Sequence, residues 1–426
     1  MRREIGLFEL TSWGVGIILG AGIYVLVGEA AGIAGNSVWL SFILGALVAT
    51  LTGLSYAELS SIFPKEAAEY VYVKIACGCE ILSFIIGWLI ILTGIISVST
   101  VALGFGGYFQ SLFGFPGVLV AVVLIVLLSF VNFSGIKEST RMNILFTFVE
   151  VAGLALIILI GIGSVGKVNL LEAPNGLSGI LSASALIFFA YLGFEDIVNV
   201  AEETKNPEKT IPKALIAAIL VTTSLYILVA VVAVSLADWK ALGETSAPLA
   251  FVASKALGEN MFTVLSIIAL FATGNTVLIM LVVGSRMIYG MANEGAFPRV
   301  LSKLHLKTST PWLAILVTMV FSILFVFLGN LELVASLTSF GAFVTFAFVN
   351  ISLIYIRYRK TELKRPFKVP LNLGRFPITG FLGLLSCLFL ILQFSPTVIL
   401  SGALFLISGL ILYKLSKIKW RSTVST

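Results

Sequence analysis

The sequence predicts an all-α integral membrane protein of twelve transmembrane helices, and three observations predict it. Apolar residues make up 59% of the 426 positions and charged residues 11%, against roughly 25% charge in a soluble domain. The apolar positions gather in runs of about twenty, the length a helix needs to cross the hydrocarbon of a bilayer. The basic residues fall between those runs, in an alternation that one orientation explains.

Taken in order, the runs place spans near 8 to 32, 38 to 62, 80 to 105, 117 to 134, 142 to 164 and 178 to 201. Six more follow near 213 to 236, 261 to 286, 312 to 328, 332 to 356, 377 to 394 and 397 to 415. Charge, proline or a glycine cluster bounds each one. With the N-terminus inside, 24 of the 27 Lys and Arg residues lie on the cytoplasmic side, and none lies in a span beyond its end residues (Lys213, Arg286 and Lys414 stand at span ends). Only Lys167, Lys240 and Lys255 lie outside. The chain is therefore expected in the cytoplasmic membrane with both termini cytoplasmic. Its net charge of +6 is met by anionic lipid of the inner leaflet and calls for no nucleic acid.

Twelve spans leave no separate soluble domain, so residues 1–426 form one transmembrane unit. A first five-helix repeat covers about 8–164, a second about 178–356, and two extra helices about 377–415. The start, MRREIGLFELTSWGVG, has the positive charge of a signal peptide without a cleavage site, so it is expected to stay as part of the first span.

The inventory excludes much chemistry. His305 is the single histidine, and no G-x-x-x-x-G-K-[ST] phosphate cradle occurs. Cys77, Cys79 and Cys387 lack the C-x-x-C spacing of a zinc or redox motif. No nucleophile, base and orienting group assemble, so an enzyme is not expected. Nor is any cofactor beyond a coupling H+ or Na+.

Two spans carry signs of a break. The first reads GVGIILGAGIYVLVGEAAG, with Gly14, Gly16, Gly20 and Gly22 at its middle, and Gly16 and Gly20 also have the spacing of close helix packing. In the sixth, SALIFFAYLGFEDIVNVAEE, Gly193 precedes the acids Glu195 and Asp196. Non-helical backbone at membrane depth is tolerated only against protein or a wet cavity. Glycine-interrupted spans at matching positions of two halves point to a transporter site near the midplane. Freed N–H groups there suit a carboxylate and freed carbonyls an ammonium, and an α-amino acid has both.

At these residues the chain resembles the amino acid-polyamine-organocation superfamily, and within it the permeases related to cationic amino acid transporters. GVGIILGAGIYVLVG, YAELSSIFPKEAAEYVYVKIA and FFAYLGFEDIVNVAEETKNPEKTIPKALI carry the resemblance, joined by SAPLAFVASKALG, GSRMIYGMANEGAFP and SLTSFGAFVTFAFVNISLIYIR. It implies a LeuT-type fold: two inverted five-helix repeats, broken first and sixth helices, and alternating access between them. Ile18, Gly20, Ala21, Gly22 and Ile23 then fall on the segment that holds the substrate's carboxylate and amine. Ala190, Tyr191, Leu192 and Gly193 fall on its partner, and Phe189 on the aromatic position that closes over substrate. The family's glycine pair after the second helix is Ala67 and Ala68 here, which bears on the flexibility of that loop.

Carboxylates inside spans are functional candidates because burying them uncompensated costs about 2.5 to 3.5 kcal/mol. Glu150 lies within the fifth span with no cation in the interior of any span to pair with it. The resemblance puts a lysine at this position in proton-coupled members. Desolvation disfavours the charged form of Glu150, which suits loading and release of a proton, or ligation of Na+ with Thr273 and Thr276. The alternative is a protonated side chain bonded to a helix carbonyl. Glu195 is expected either at the substrate amine or at the start of the inner half-helix, and Asp196 at that start. Glu58 is expected to face the cytoplasm or contact loop residues, and Glu29 is similar at the outer end.

The reading is an amino acid permease working by proton- or sodium-coupled symport, with an amino acid or amine exchanger as the alternative. A cationic substrate wants Glu195, and a neutral one wants the apolar wall that Phe189, Tyr191 and Phe340 supply. Oligomeric state is not readable from these residues.

Overall fold

The computed structural model of this chain describes residues 5–63, 68–134, 136–293, 295–308 and 310–423. Its helices stand where the apolar runs placed them. The first run is split into α1 (Leu7–Ile18) and α2 (Gly22–Ala34), and the second is α3 (Val38–Ile62). A short α4 (Ala68–Cys77) fills the following loop, and α5 (Glu80–Phe113), α6 (Gly117–Ser134) and α7 (Ile136–Gly161) follow. The sixth run is α8 (Gly176–Ile187) continued by two tight helical turns, Phe188–Tyr191 and Phe194–Glu203.

The chain goes on with α9 (Pro207–Leu236), the short α10 (Trp239–Glu244) and α11 (Pro248–Leu257), and the long α12 (Glu259–Asn293). Then come α13 (Trp312–Val326), α14 (Leu331–Arg359), α15 (Ile378–Ile391) and α16 (Pro396–Thr423). Between α14 and α15 the chain makes a small antiparallel hairpin, Asn372–Leu373 on Phe376–Pro377. Among the described residues nine helical segments are long and apolar enough to cross a bilayer, while α1, α11, α13 and α15 are shorter apolar helices.

Helices overrun the predicted spans because periodicity sees only their apolar part. Pro207 starts α9 six residues early, since proline suits the first helical position and Glu208 to Lys213 form polar first turns. Asn330 caps α14, its side chain accepting from the Leu333 N–H at 2.8 Å. The inner layer is α12 on α5 and α3 on α9, with α14 against α5. On α7, Phe148 is 76% and Leu159 74% exposed, the surface of a helix that borders lipid.

Near the C-terminal end of α3, Glu58 is fully buried and contacts loop residues, the second of its two expected placements, while Arg286 and Arg357 lie within helices α12 and α14. Arg357 donates through Nε to Glu58 Oε1 at 2.8 Å and through Nη2 to Oε2. The Val369 N–H donates to Oε2 at 2.8 Å, and Arg365 Nε stands 3.7 Å from Oε1. Arg365 also donates to the carbonyls of Ile356 and Lys360, closing the end of α14. The segment after α14 thus folds back and carries charge to Glu58, a contact between positions 299 apart. Removing one member of such a pair strands the other, which costs about 3 to 5 kcal/mol. Glu58→Ala is therefore expected to lower the melting temperature of the detergent-purified protein by several degrees or more; an unchanged melt would contradict the pairing.

Candidate functional site

The two breaks face each other at the centre of the bundle. In the first, Leu19, Gly20 and Ala21 interrupt the helix, with Leu19 and Ala21 keeping nearly helical dihedrals. In the second, the turn Phe188–Tyr191 runs into an extended Leu192 (ψ 141°) and then Gly193 at φ +109°. That φ strains any side chain, and a Cβ there would also press into Ile17. A Cβ on Gly22 would stand 2.5 Å from Ala190 Cα and 2.7 Å from its Cβ, so the breaks are in direct contact.

Gly14 and Gly16 are not part of the break. They lie inside α1, where a Cβ on Gly14 would meet Ile197 Cδ1 at 2.5 Å and one on Gly16 would meet Thr147 Cγ2 at 3.0 Å. Their role is close packing.

Side chains from surrounding helices satisfy the interrupted backbone. Thr276 Oγ1, on α12, accepts the Ala21 N–H at 2.9 Å and donates to the Ala272 carbonyl at 3.1 Å. The Tyr226 hydroxyl, on α9, lies 2.6 Å from the Ile18 carbonyl and 2.9 Å from the Ala190 carbonyl. Tyr24 donates to the Glu150 backbone carbonyl at 2.6 Å, and Tyr108 donates to the Tyr24 carbonyl at 2.7 Å. Tyr191 donates to the Phe42 carbonyl at 2.8 Å. Ile18, Ala21, Ile23, Phe189, Ala190, Tyr191 and Leu192 are all buried around this junction.

The carboxylate of Glu195 turns back to its own break, where Oε2 accepts the Gly193 N–H at 2.9 Å. It meets the start of the turn that follows the break, the second of its two expected placements. Phe340 packs on Phe394 and against Gly402, toward α15 and α16. The aromatic wall behind the second break is Phe343 and Phe346, which meet Phe188 at centroid distances of 4.4 and 6.0 Å.

Glu150 is fully buried, and neither carboxylate oxygen has a hydrogen-bond partner in the protein. Thr273 Oγ1 donates to the Ala269 carbonyl of its own helix at 2.6 Å. Thr276 is thus brought to the first break, whereas Thr273 and Thr276 are not brought into hydrogen bonding with Glu150. Toward the C-terminal end of α3, Tyr56 donates to Glu69 Oε1 at 2.9 Å, and its ring meets Phe194 and Phe346 edge-on. Burial pushes the Glu69 carboxyl above its ordinary range, partly offset by hydrogen bonds to its own backbone and to Tyr56. Of the alanine pair before it, Ala67 lies outside the described residues and Ala68 begins α4.

Sequence reasoning did not single out Tyr24, Tyr108 or Tyr226. The available signal was a tyrosine in mid-span, whose hydroxyl needs a partner when no water reaches it.

The chain matches the family model for "Amino acid permease" over residues 5–421. It is 33% identical to the branched-chain amino acid permease BcaP of Bacillus subtilis (strain 168), over 97% of this chain and 92% of that protein. It is 31% identical to the methylthioribose transporter of the same organism, over 97% of this chain and 93% of the other. The mouse cationic amino acid transporter 4 is 30% identical over 85% of this chain and 61% of its own length.

Proposed function

From the premise that this chain belongs to the amino acid permease family, we propose that it imports a neutral amino acid across the cytoplasmic membrane by proton-coupled symport. It is a multi-pass membrane protein; the charge asymmetry supports both termini inside. The arrangement is read as two inverted five-helix repeats followed by two helices. Its support is the packing: the first run meets the sixth, α3 meets α9, α5 meets α12 and α6 meets α13. Those are the pairs that a two-fold axis in the membrane plane brings together.

The observation that carries the reading is the contact of two interrupted spans, walled by aromatic rings. An α-amino acid's ammonium would take carbonyls such as that of Ile18, and its carboxylate the backbone N–H groups of Gly20 and Gly22. Glu195 is turned onto Gly193 through Oε2, and the rings of Phe188, Phe343 and Phe346 favour an apolar side chain. The branched-chain name of one relative points the same way.

Glu150 is the proposed proton carrier. A buried carboxylate with no hydrogen-bond partner in the protein suits a group that is neutral when loaded.

Ligand binding raises apparent stability by mass action, so melting of the purified protein against the twenty amino acids and common polyamines tests the substrate. Branched-chain and other apolar amino acids are expected to stabilise it, more at pH 5.5 than at 7.5 and equally with or without Na+. Stabilisation by lysine, arginine or polyamines alone would overturn the neutral class, and dependence on Na+ would overturn the proton.

A further inference from the structure

The donors that hold the first break are not equivalent. Thr276 ties Ala21 to α12 alone, but the Tyr226 hydroxyl reaches carbonyls on both breaks at once. Interrupting a helix leaves carbonyl groups without their usual N–H partner. Left unpaired in a buried junction, each is costly. Tyr226 is fully buried, its ring set edge-on to Tyr191 at 5.5 Å and tilted against Phe42 at 5.5 Å, so the phenol is held at that point. A phenol has a single proton to donate, shared here between two acceptors, whereas an ammonium has three.

We infer that Tyr226 is a positioning residue that stands in for the substrate ammonium, its hydroxyl closing the carbonyls of Ile18 and Ala190 across the two breaks when the transporter is empty. The inference rests on the reading of this junction as the amino acid site. When substrate enters, its ammonium takes over at least one of these carbonyls and the phenol gives it up. A symporter must return empty after releasing its cargo, and that return passes through a closed state with no ammonium in it. Tyr226 makes that state accessible. An obligatory exchanger has no such need, because its return leg is always loaded.

Tyr226→Phe keeps the ring and removes only the hydroxyl. Net uptake of labelled leucine into proteoliposomes containing no amino acid is expected to fall about tenfold. Exchange into vesicles preloaded with unlabelled leucine is expected to fall less than about threefold, because both legs then carry an ammonium. A parallel loss of both would show that the hydroxyl serves the loaded transporter, and no change in either would show that it serves neither; each overturns the inference. Melting curves supply a second readout. The variant should be less stable than the parent without ligand and regain the parent's stability at saturating leucine, whereas equal instability with and without leucine would mean a purely structural role. If the parent neither accumulates nor exchanges any amino acid, the proposed function itself has failed. A transporting parent with an unchanged ratio in the variant sinks this inference alone.

Discussion

Glu150→Gln is expected to abolish accumulation against a gradient while leaving substrate affinity within about threefold, since a neutral amide replaces one carboxyl oxygen only. The carboxylate sits in α7 with no exposed surface and no hydrogen bond to the protein. Carrying it ionised in that position costs about 2.5 to 3.5 kcal/mol on insertion scales, so its charge state biases whichever conformation lets water reach it. The link to the site is short. The backbone carbonyl of Glu150 takes the hydroxyl of Tyr24, which follows Ala21 and Gly22 by one turn or less of α2. Tyr108 in α5 then holds the Tyr24 carbonyl. A glutamine has the shape of the protonated acid but cannot release a proton, so the variant should bind and equilibrate substrate without concentrating it. Ligand-induced stabilisation and proteoliposome uptake, measured together, separate the two effects. Accumulation equal to the parent's would remove Glu150 from coupling.

The second large effect is steric. Gly193→Leu and Gly20→Leu are each expected to eliminate binding, with affinity reduced at least about a hundredfold; packing insults of a few kcal/mol have that consequence. At Gly193 the φ of +109° and the side chain of Ile17 both exclude a substituent. At Gly20 a Cβ would stand 3.1 Å from the Thr276 hydroxyl, which would then lose its hold on the Ala21 N–H. Gly290→Ala is the control, because a Cβ there meets nothing within 4 Å and alanine suits a helix better. Leucine stabilisation equal to the parent's in both leucine variants would place the site elsewhere.

Spans were legible in the sequence because hydrocarbon demands unbroken apolar runs, and so α3 and α6 begin and end where their runs do. Ends such as that of α9 were not, since its first turns are polar and only Pro207 marks them. The second break was legible because a glycine two residues before an acidic pair, Gly193 ahead of Glu195 and Asp196, has few other uses at membrane depth. The first was overdrawn: four glycines share that stretch, and only contacts show that Gly14 and Gly16 make room for Ile197 and Thr147.

Faces were the least legible feature. A span that is apolar all round gives no hint of which ring turns inward, so Phe340 was chosen where Phe343 and Phe346 stand. Tyr226 was hidden for the same reason, as one aromatic residue among many. The pair of Glu58 with Arg357 was hidden by distance along the chain, since 299 positions separate the partners and each alone looks like a residue at a helix end.

The most direct test of amino acid import at the two breaks is accumulation of labelled leucine in proteoliposomes under an imposed inward proton gradient. Concentrative uptake that collapses with a protonophore, ignores Na+ and disappears in Gly193→Leu is the predicted result. Absence of uptake, or uptake that the protonophore and the Gly193 variant both leave intact, would contradict it.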